Sequence, residues 1–279
     1  MPDQDKTTRH FRSASEDREI LRKAPQTPQT CSSAYCLAFD DEQFLLRDEL
    51  RPVRLQLELM KAQMVFEEEN VNSTVVIFGG ARIPAPGAMP VRTDDPALVK
   101  SLKDKAHYYE AARRFAQLVS EYSLKTGGRD WMICSGGGPG VMEAANRGAD
   151  DVGAKSIGLN IVLPHEQAPN PYVTPELSLQ FHYFAIRKMQ FLMNAKALAV
   201  FPGGFGTLDE TFETLTLIQT GRVAPMPVLL FGESFWRRII NFEALAEEGT
   251  ISPDDLDLFS FVETGEQGWE KIRQFYGIE

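Results

Sequence analysis

Apolar and polar positions along this chain follow two different periods, and the change between them divides it. Residues 1 to about 38 are polar and interrupted by Pro25 and Pro28, which predicts a poorly ordered or loosely docked start. Residues 39–70 read as helical, with Pro52 at a helix start and Leu57, Met60 and Met64 on one face. That face suits a packing or dimerisation arm. From Ser73 onward, short β-branched apolar runs alternate with amphipathic ones. Strands are expected over 74–78, 131–134, 156–163, 177–183, 197–201 and 228–231. Helices are expected over 108–123, 139–148, 185–195 and 207–220, with the remainder helical to near Tyr276. Proline-rich or irregular loops fill 83–96 and 164–175. Strands alternating with helices predict βαβ units, hence an α/β fold with a doubly wound parallel sheet. The chain therefore divides into a polar N-terminal segment with a helical arm, 1–72, and an α/β domain, 73–279.

Composition narrows the function classes. The 279 residues carry a net charge of -10, which argues against a nucleic-acid partner, because that wants a basic face. A small anionic ligand stays compatible, since a local site can be basic on an acidic protein. No run approaches the roughly 20 apolar residues of a membrane span, and the charged N-terminus lacks the apolar core of a secretory signal. Cys31, Cys36 and Cys134 form no CxxC pair, and His10, His107, His165 and His182 show no metal-ligand spacing. A cytoplasmic, metal-independent protein is the expectation.

Chemistry concentrates in three glycine clusters, each following an expected strand. They are Gly79-Gly80-Ala81-Arg82, Ser135-Gly136-Gly137-Gly138-Pro139-Gly140 and Pro202-Gly203-Gly204-Phe205-Gly206-Thr207-Leu208-Asp209-Glu210. In a doubly wound sheet such ends share one edge, where ligands bind. The third cluster leads into a helix whose N–H groups and dipole favour an anion, with the Glu210 carboxylate close behind. Thr207-Leu208-Asp209-Glu210 is also compatible with a capping box, in which Thr207 caps the helix and Glu210 reaches back. Pro139 suits the first position of its helix. Neither GxGxxG nor GxxxxGK[ST] is present, so a dinucleotide fingerprint and a P-loop are both absent. Arg187 and Lys188 open the helix after the fourth strand; they read either as an anion fork or as a solvated pair. Glu166 sits in the loop after the third strand. His182 reads as a satisfied strand histidine, and Glu143 as a helix-start support.

The cluster Ser135-Gly136-Gly137-Gly138-Pro139-Gly140-Val141-Met142-Glu143-Ala144-Ala145, then Arg187-Lys188, then the complete PGGxGTxxE signature at 202–210 resemble the LOG ("Lonely guy") family, long misannotated as lysine decarboxylases. The resemblance covers roughly 73–231. The helical arm and the Leu163-Pro164-His165-Glu166-Gln167-Ala168-Pro169-Asn170-Pro171 segment look like the long bacterial class.

The resemblance implies a Rossmann-like fold and cleavage of the N-glycosidic bond of nucleoside 5'-monophosphates, cytokinin riboside monophosphates and AMP foremost. Free base and ribose 5-phosphate would be released without a cofactor. It implies Glu210 as the carboxylate that stabilises the oxocarbenium-like ribose, and Arg187 as the second catalytic residue. Gly203, Gly204, Gly206 and Thr207 would hold the 5'-phosphate. Lys188, Glu166 and Thr216 match substrate-contact positions, and Gly79, Arg82, Gly137 and Met142 complete the purine pocket. It also implies a homodimer or higher homo-oligomer. Two rivals remain on the sequence: a nucleotide-binding sensor without turnover, and a structural partner protein acting through its arm.

Overall fold

The computed structural model describes residues 11–164 and 168–278. A first compact unit ends at Leu57 and a second begins at Glu58. The first contains α1 (Ala14–Arg22) and α2 (Glu42–Leu45). The polar start expected to be loose thus carries a helix, and its sequence explains this. Ser13 and Glu16 form a reciprocal capping box, which satisfies backbone donors that would otherwise need water. α3 (Arg51–Glu68) contains the boundary between the units. The helix expected over 39–70 is confined to α3, with Pro52 in its first turn. Proline has no N–H, which the first turn of a helix does not need, and shorter helical turns at Glu42–Leu45 and Asp48–Leu50 precede α3.

The second unit continues with β1 (Thr74–Phe78), α4 (Pro96–Lys103), α5 (Ala106–Lys125), β2 (Met132–Ser135), α6 (Val141–Asp150) and β3 (Ser156–Ile161). Then follow β4 (Ser178–Phe181), α7 (Phe184–Met193), β5 (Ala195–Val200), α8 (Phe205–Gln219) and β6 (Val228–Phe231). The chain closes with α9 (Glu233–Ile239), α10 (Phe242–Glu247), β7 (Ser260–Val262) and α11 (Gly265–Tyr276). Among the described residues these strands form one seven-stranded, all-parallel sheet in the order β4-β3-β2-β1-β5-β6-β7. β7 was not expected from the sequence. Its three residues are too short for a period to register, and it forms by pairing Leu229 to Ser260 and Phe231 to Val262.

Both faces of the sheet are covered, as parallel sheets require. Every residue of β1 is buried, and its side chains divide between two cores. Val75 and Ile77 join Tyr109 and Phe115 of α5, Ala144 and Ala145 of α6 and Ile272 of α11. Val76 and Phe78 join Phe66 of α3, Phe191 of α7, Ile218 of α8 and Trp236 of α9. Complete burial of an aliphatic or aromatic side chain stabilises by about 1.5–3 kcal/mol, so β1 anchors both layers.

The strand order fixes where a ligand can bind. The chain runs outward from β1 to β4, then returns through α7 to place β5 on the other side of β1. The β1 and β5 turns therefore diverge at a topological switch point, where a crevice opens at the carboxyl ends of the strands.

Candidate functional site

A cavity of about 690 Å³ lies at those strand ends. The three glycine clusters and the residues following them contribute to it, through Gly79 to Ile83, Gly136 and Met142, and Pro202, Gly203, Gly204, Gly206 and Thr207. The turns interlock through backbone contacts that leave no room for side chains. Gly80 N–H donates to Pro202 O at 2.9 Å. Gly140 caps α6 at φ 71, and a Cβ there would stand 2.5 Å from Gly80 O. This left-handed cap starts α6 at Val141, so Pro139 precedes the helix and does not open it as expected.

α8 also begins differently from the expectation, and the difference has chemical weight. Its N-cap is Gly204, which offers no side-chain acceptor, and its first residue is Phe205. Thr207 is then the third helical residue, so the capping box read from Thr207 to Glu210 does not form. Thr207 is buried and packs back over Gly203, while Gly204 and Gly206 border open space. The first N–H groups of α8 thus meet the cavity uncapped, the arrangement that favours a bound anion. Glu210, in the next turn, lines the cavity while remaining 7% exposed. Among the described residues its carboxylate takes part in no hydrogen bond. Burial pushes Glu210 up to about 7, against the pull of Lys188 and Arg187 and with a smaller push from Glu213 and Asp209.

The two cations opening α7 have different fates. Arg187 lines the cavity; its Nε donates to Leu159 O at 2.7 Å, and its guanidinium carbon lies 5.1 Å from the Phe191 ring centre. Gly136 gives it room, since a Cβ there would stand 2.8 Å from Nη2. Lys188 lies outside the lining and bridges α7 to α8, with Nζ 2.9 Å from Asp209 Oδ1 and 3.0 Å from Glu213 Oε2. Burial opposes its charge, but Asp209, Glu213 and Glu210 outweigh this and raise its pKa. The N-terminus of α7 is itself held from α3. Glu58 accepts the backbone N–H groups of His182, at 3.0 Å, and Tyr183, at 2.9 Å.

A buried polar network supports the second glycine turn. Asn146 Oδ1 accepts from Ser135 Oγ at 2.7 Å and from Asn170 Nδ2 at 2.9 Å. Asn170 Nδ2 also reaches the carbonyls of Gly137 and Gly138, and Gly137 N–H donates to Ser135 Oγ. Gly137 sits at φ 72 with Asn160 Oδ1 directly against the position a Cβ would take. Gly137 therefore shapes the cavity from behind Asn160. Glu143 accepts from Tyr109 Oη at 2.8 Å, a brace between α6 and α5.

Of the residues expected at the site, Gly79, Arg82, Met142, Arg187, Gly203, Gly204, Gly206, Thr207 and Glu210 share this one cavity. Gly137 and Lys188 stand behind it. Thr216 is exposed farther along α8 and donates to Phe212 O. Glu166, with His165 and Gln167, lies outside the described residues. Arg92, Lys105, Asn160 and Gln180 also line the cavity, though no motif marked them. They come from segments the glycine patterns do not reach. Among the described residues no cluster of His, Cys, Asp or Glu is placed to hold a metal ion, and no helix is long and apolar enough to cross a membrane.

Residues 142–272 match a family model described as "Possible lysine decarboxylase". A cytokinin riboside 5'-monophosphate phosphoribohydrolase of Arabidopsis thaliana is 26% identical over 148 residues, 52% of this chain and 67% of that protein. Its counterpart from Oryza sativa subsp. japonica is 29% identical over 154 residues, 54% of this chain and 60% of that protein. Among solved structures, a molybdenum cofactor binding protein from Rippkaea orientalis aligns with a TM-score of 0.45 at 18% identity, over 74% of this chain and 98% of that one. The fold and the glycine-lined crevice define an α/β protein with a parallel, Rossmann-like sheet. Within that class the chain is similar to the LOG family, through the family model over 142–272 and the phosphoribohydrolase relatives.

Proposed function

We propose that this protein hydrolyses the N-glycosidic bond of purine nucleoside 5'-monophosphates. The observation that carries the reading is Glu210, a buried carboxylate that borders the cavity one turn beyond an uncapped helix N-terminus. The 5'-phosphate sits on the first N–H groups of α8, and this fixes the ribose beside Glu210. As the C1'–N bond breaks, its electron pair leaves with the base, and positive charge develops on the ribose. Ionised Glu210 stabilises that charge and takes a proton from the attacking water, whose oxygen adds to C1' to give ribose 5-phosphate; the departing base nitrogen gains a proton, and Glu210 returns to its carboxylate, so that water is split between the two products. In this reading Arg187, whose Nε donates to Leu159 O, binds the substrate as the second catalytic residue. β3 lies three strands from β5, roughly 14 Å at ordinary strand spacing. The base therefore lies toward β3, where Met142, Ile161, Leu163 and Phe184 offer an apolar wall. That wall suits adenine and adenine bearing an apolar N6 substituent.

The lysine-decarboxylase description of the family model finds less support. Lys188 Nζ is held between two carboxylates and stays charged, so it is a poor nucleophile for a carbonyl cofactor. The same reading includes assembly into at least a dimer. Met60 and Met64 of α3 and Met189 and Met193 of α7 are each roughly half exposed and offer an apolar face to a second copy. The test is incubation with AMP and with isopentenyladenosine 5'-monophosphate, with free base read by chromatography, for the wild type and Arg187→Ala. Base release by the wild type and its loss in a folded Arg187→Ala supports the assignment. Nucleotide binding without release by the wild type would replace the hydrolase with a sensor.

A further inference from the structure

The segment from the end of β1 to the start of α5, residues 79–105, sorts its charges. The charged side chains it contributes to the cavity lining are all cations: Arg82, Arg92 and Lys105. Its carboxylates, Asp94, Asp95 and Asp104, lie outside the lining. The sorting is built into the local structure. Buried Ile83, Pro84 and Pro90 pin the segment to the domain. Asp95 is occupied as the N-cap of α4, where it accepts from Ala97 N at 2.8 Å. Lys105 Nζ is held at the end of α4 by Ser101 O and Oγ, each at 2.9 Å. Arg92 adopts φ 63, a left-handed backbone that a non-glycine residue takes only against a steric cost. The turn leading to Arg82 rests directly on the β5 turn through the bond from Gly80 N to Pro202 O. These cations therefore border the same cavity as the uncapped N-terminus of α8.

We propose that Arg92 and Lys105, together with Arg82, are phosphate-binding residues that complete with the α8 N-terminus a single site for a phosphate monoester dianion. The α8 N–H groups supply one wall by dipole and hydrogen bonding. The guanidinium groups supply planar forks that match phosphate oxygens, and the lysine supplies a point charge. The inference rests on the reading of α8 as the phosphate end of a nucleotide site. It adds binding residues from a segment outside the glycine motifs.

The experiment is calorimetric titration of the full chain with inorganic phosphate, ribose 5-phosphate and free adenine. Arg92→Gly keeps the left-handed backbone comfortable while removing the guanidinium, and Lys105→Met keeps the apolar stem. Each is expected to weaken both phosphate ligands by roughly tenfold or more, the scale of a charge-assisted hydrogen bond, and to leave adenine binding within about twofold. A Lys100→Met, Lys103→Met double variant removes two charges from the same segment outside the cavity, and it should keep phosphate affinity within about twofold. The inference is overturned if the wild type binds no phosphate, or if Arg92→Gly and Lys105→Met bind it as the wild type does. An equal loss in the double variant also overturns it, because the effect is then a general field. Phosphate binding that falls as expected in a protein unable to release base from AMP supports this site and counts against the hydrolase alone.

Discussion

Replacing Glu210 by glutamine should make the protein more stable at the pH where its proposed chemistry runs. The carboxyl rises from 4.5 to about 7 on folding, chiefly through burial. One unit is 1.36 kcal/mol, so holding the ionised form in this site costs about 3 kcal/mol. The sign follows from proton binding. Between about pH 4.5 and 7 the native state keeps a proton that the unfolded chain has lost. Native stability therefore falls as pH rises through that window, and the full cost persists above it. Glu210→Gln has nearly the same shape and no charge, so this cost disappears. Urea unfolding of both proteins at pH 5, 6, 7 and 8 reads the effect. The difference in unfolding free energy in favour of Glu210→Gln should be small at pH 5 and grow to at most about 3 kcal/mol at pH 8. Groups remote from Glu210 are common to both proteins and drop out of the difference. A difference that stays flat from pH 5 to 8, or a variant less stable than the wild type at pH 8, would refute the argument that this carboxylate is ionised at a cost.

Three further outcomes test neighbouring parts of the site. Lys188 opposes the upward shift of Glu210, so Lys188→Met should move the acidic limb of the base-release pH profile upward by about one unit; an unmoved midpoint would remove Lys188 from the electrostatics. Gly137→Ala forces a Cβ against Asn160 Oδ1 at φ 72, and urea unfolding should show a loss of about 2 kcal/mol or more. Asn146→Leu strips partners from Ser135, Asn170 and Ser156 beneath the glycine turn, and the same assay should show a loss of at least about 3 kcal/mol. Wild-type stability in either of the last two would mean that the turn does not depend on this support.

The sequence was most legible where local chemistry and global fold agree. The β-branched run at Thr74–Phe78 forms the central strand, and the glycine clusters after β1, β2 and β5 meet at one edge, as alternating strands and helices demand. The exact helix starts were less legible. Thr207 and Glu210 have the residue types of a capping box, but the permissive backbone at Gly204 lets α8 begin earlier and leaves Glu210 toward the cavity. Gly140 displaces Pro139 from its helix in the same way. β7 depends on pairing with β6, which no local pattern encodes in three residues. Arg92 and Lys105 reach the site through tertiary placement of a proline-rich segment, so their spacing in the chain carries no signal. Conversely, Leu57, Met60 and Met64 were readable as one helical face, yet each remains about half exposed in the single chain.

In the proposed reaction Glu210 drives cleavage of a nucleotide N-glycosidic bond. The most direct measurement is the paired yield of adenine and ribose 5-phosphate from AMP at pH 8, for the wild type and Glu210→Gln. Equal amounts of the two products are expected from the wild type. The rate is expected to be lower by roughly two to four powers of ten in a Glu210→Gln protein that is folded and still binds AMP. Undiminished release by Glu210→Gln, or wild-type binding of the candidate nucleotides with no products, would contradict the proposed reaction.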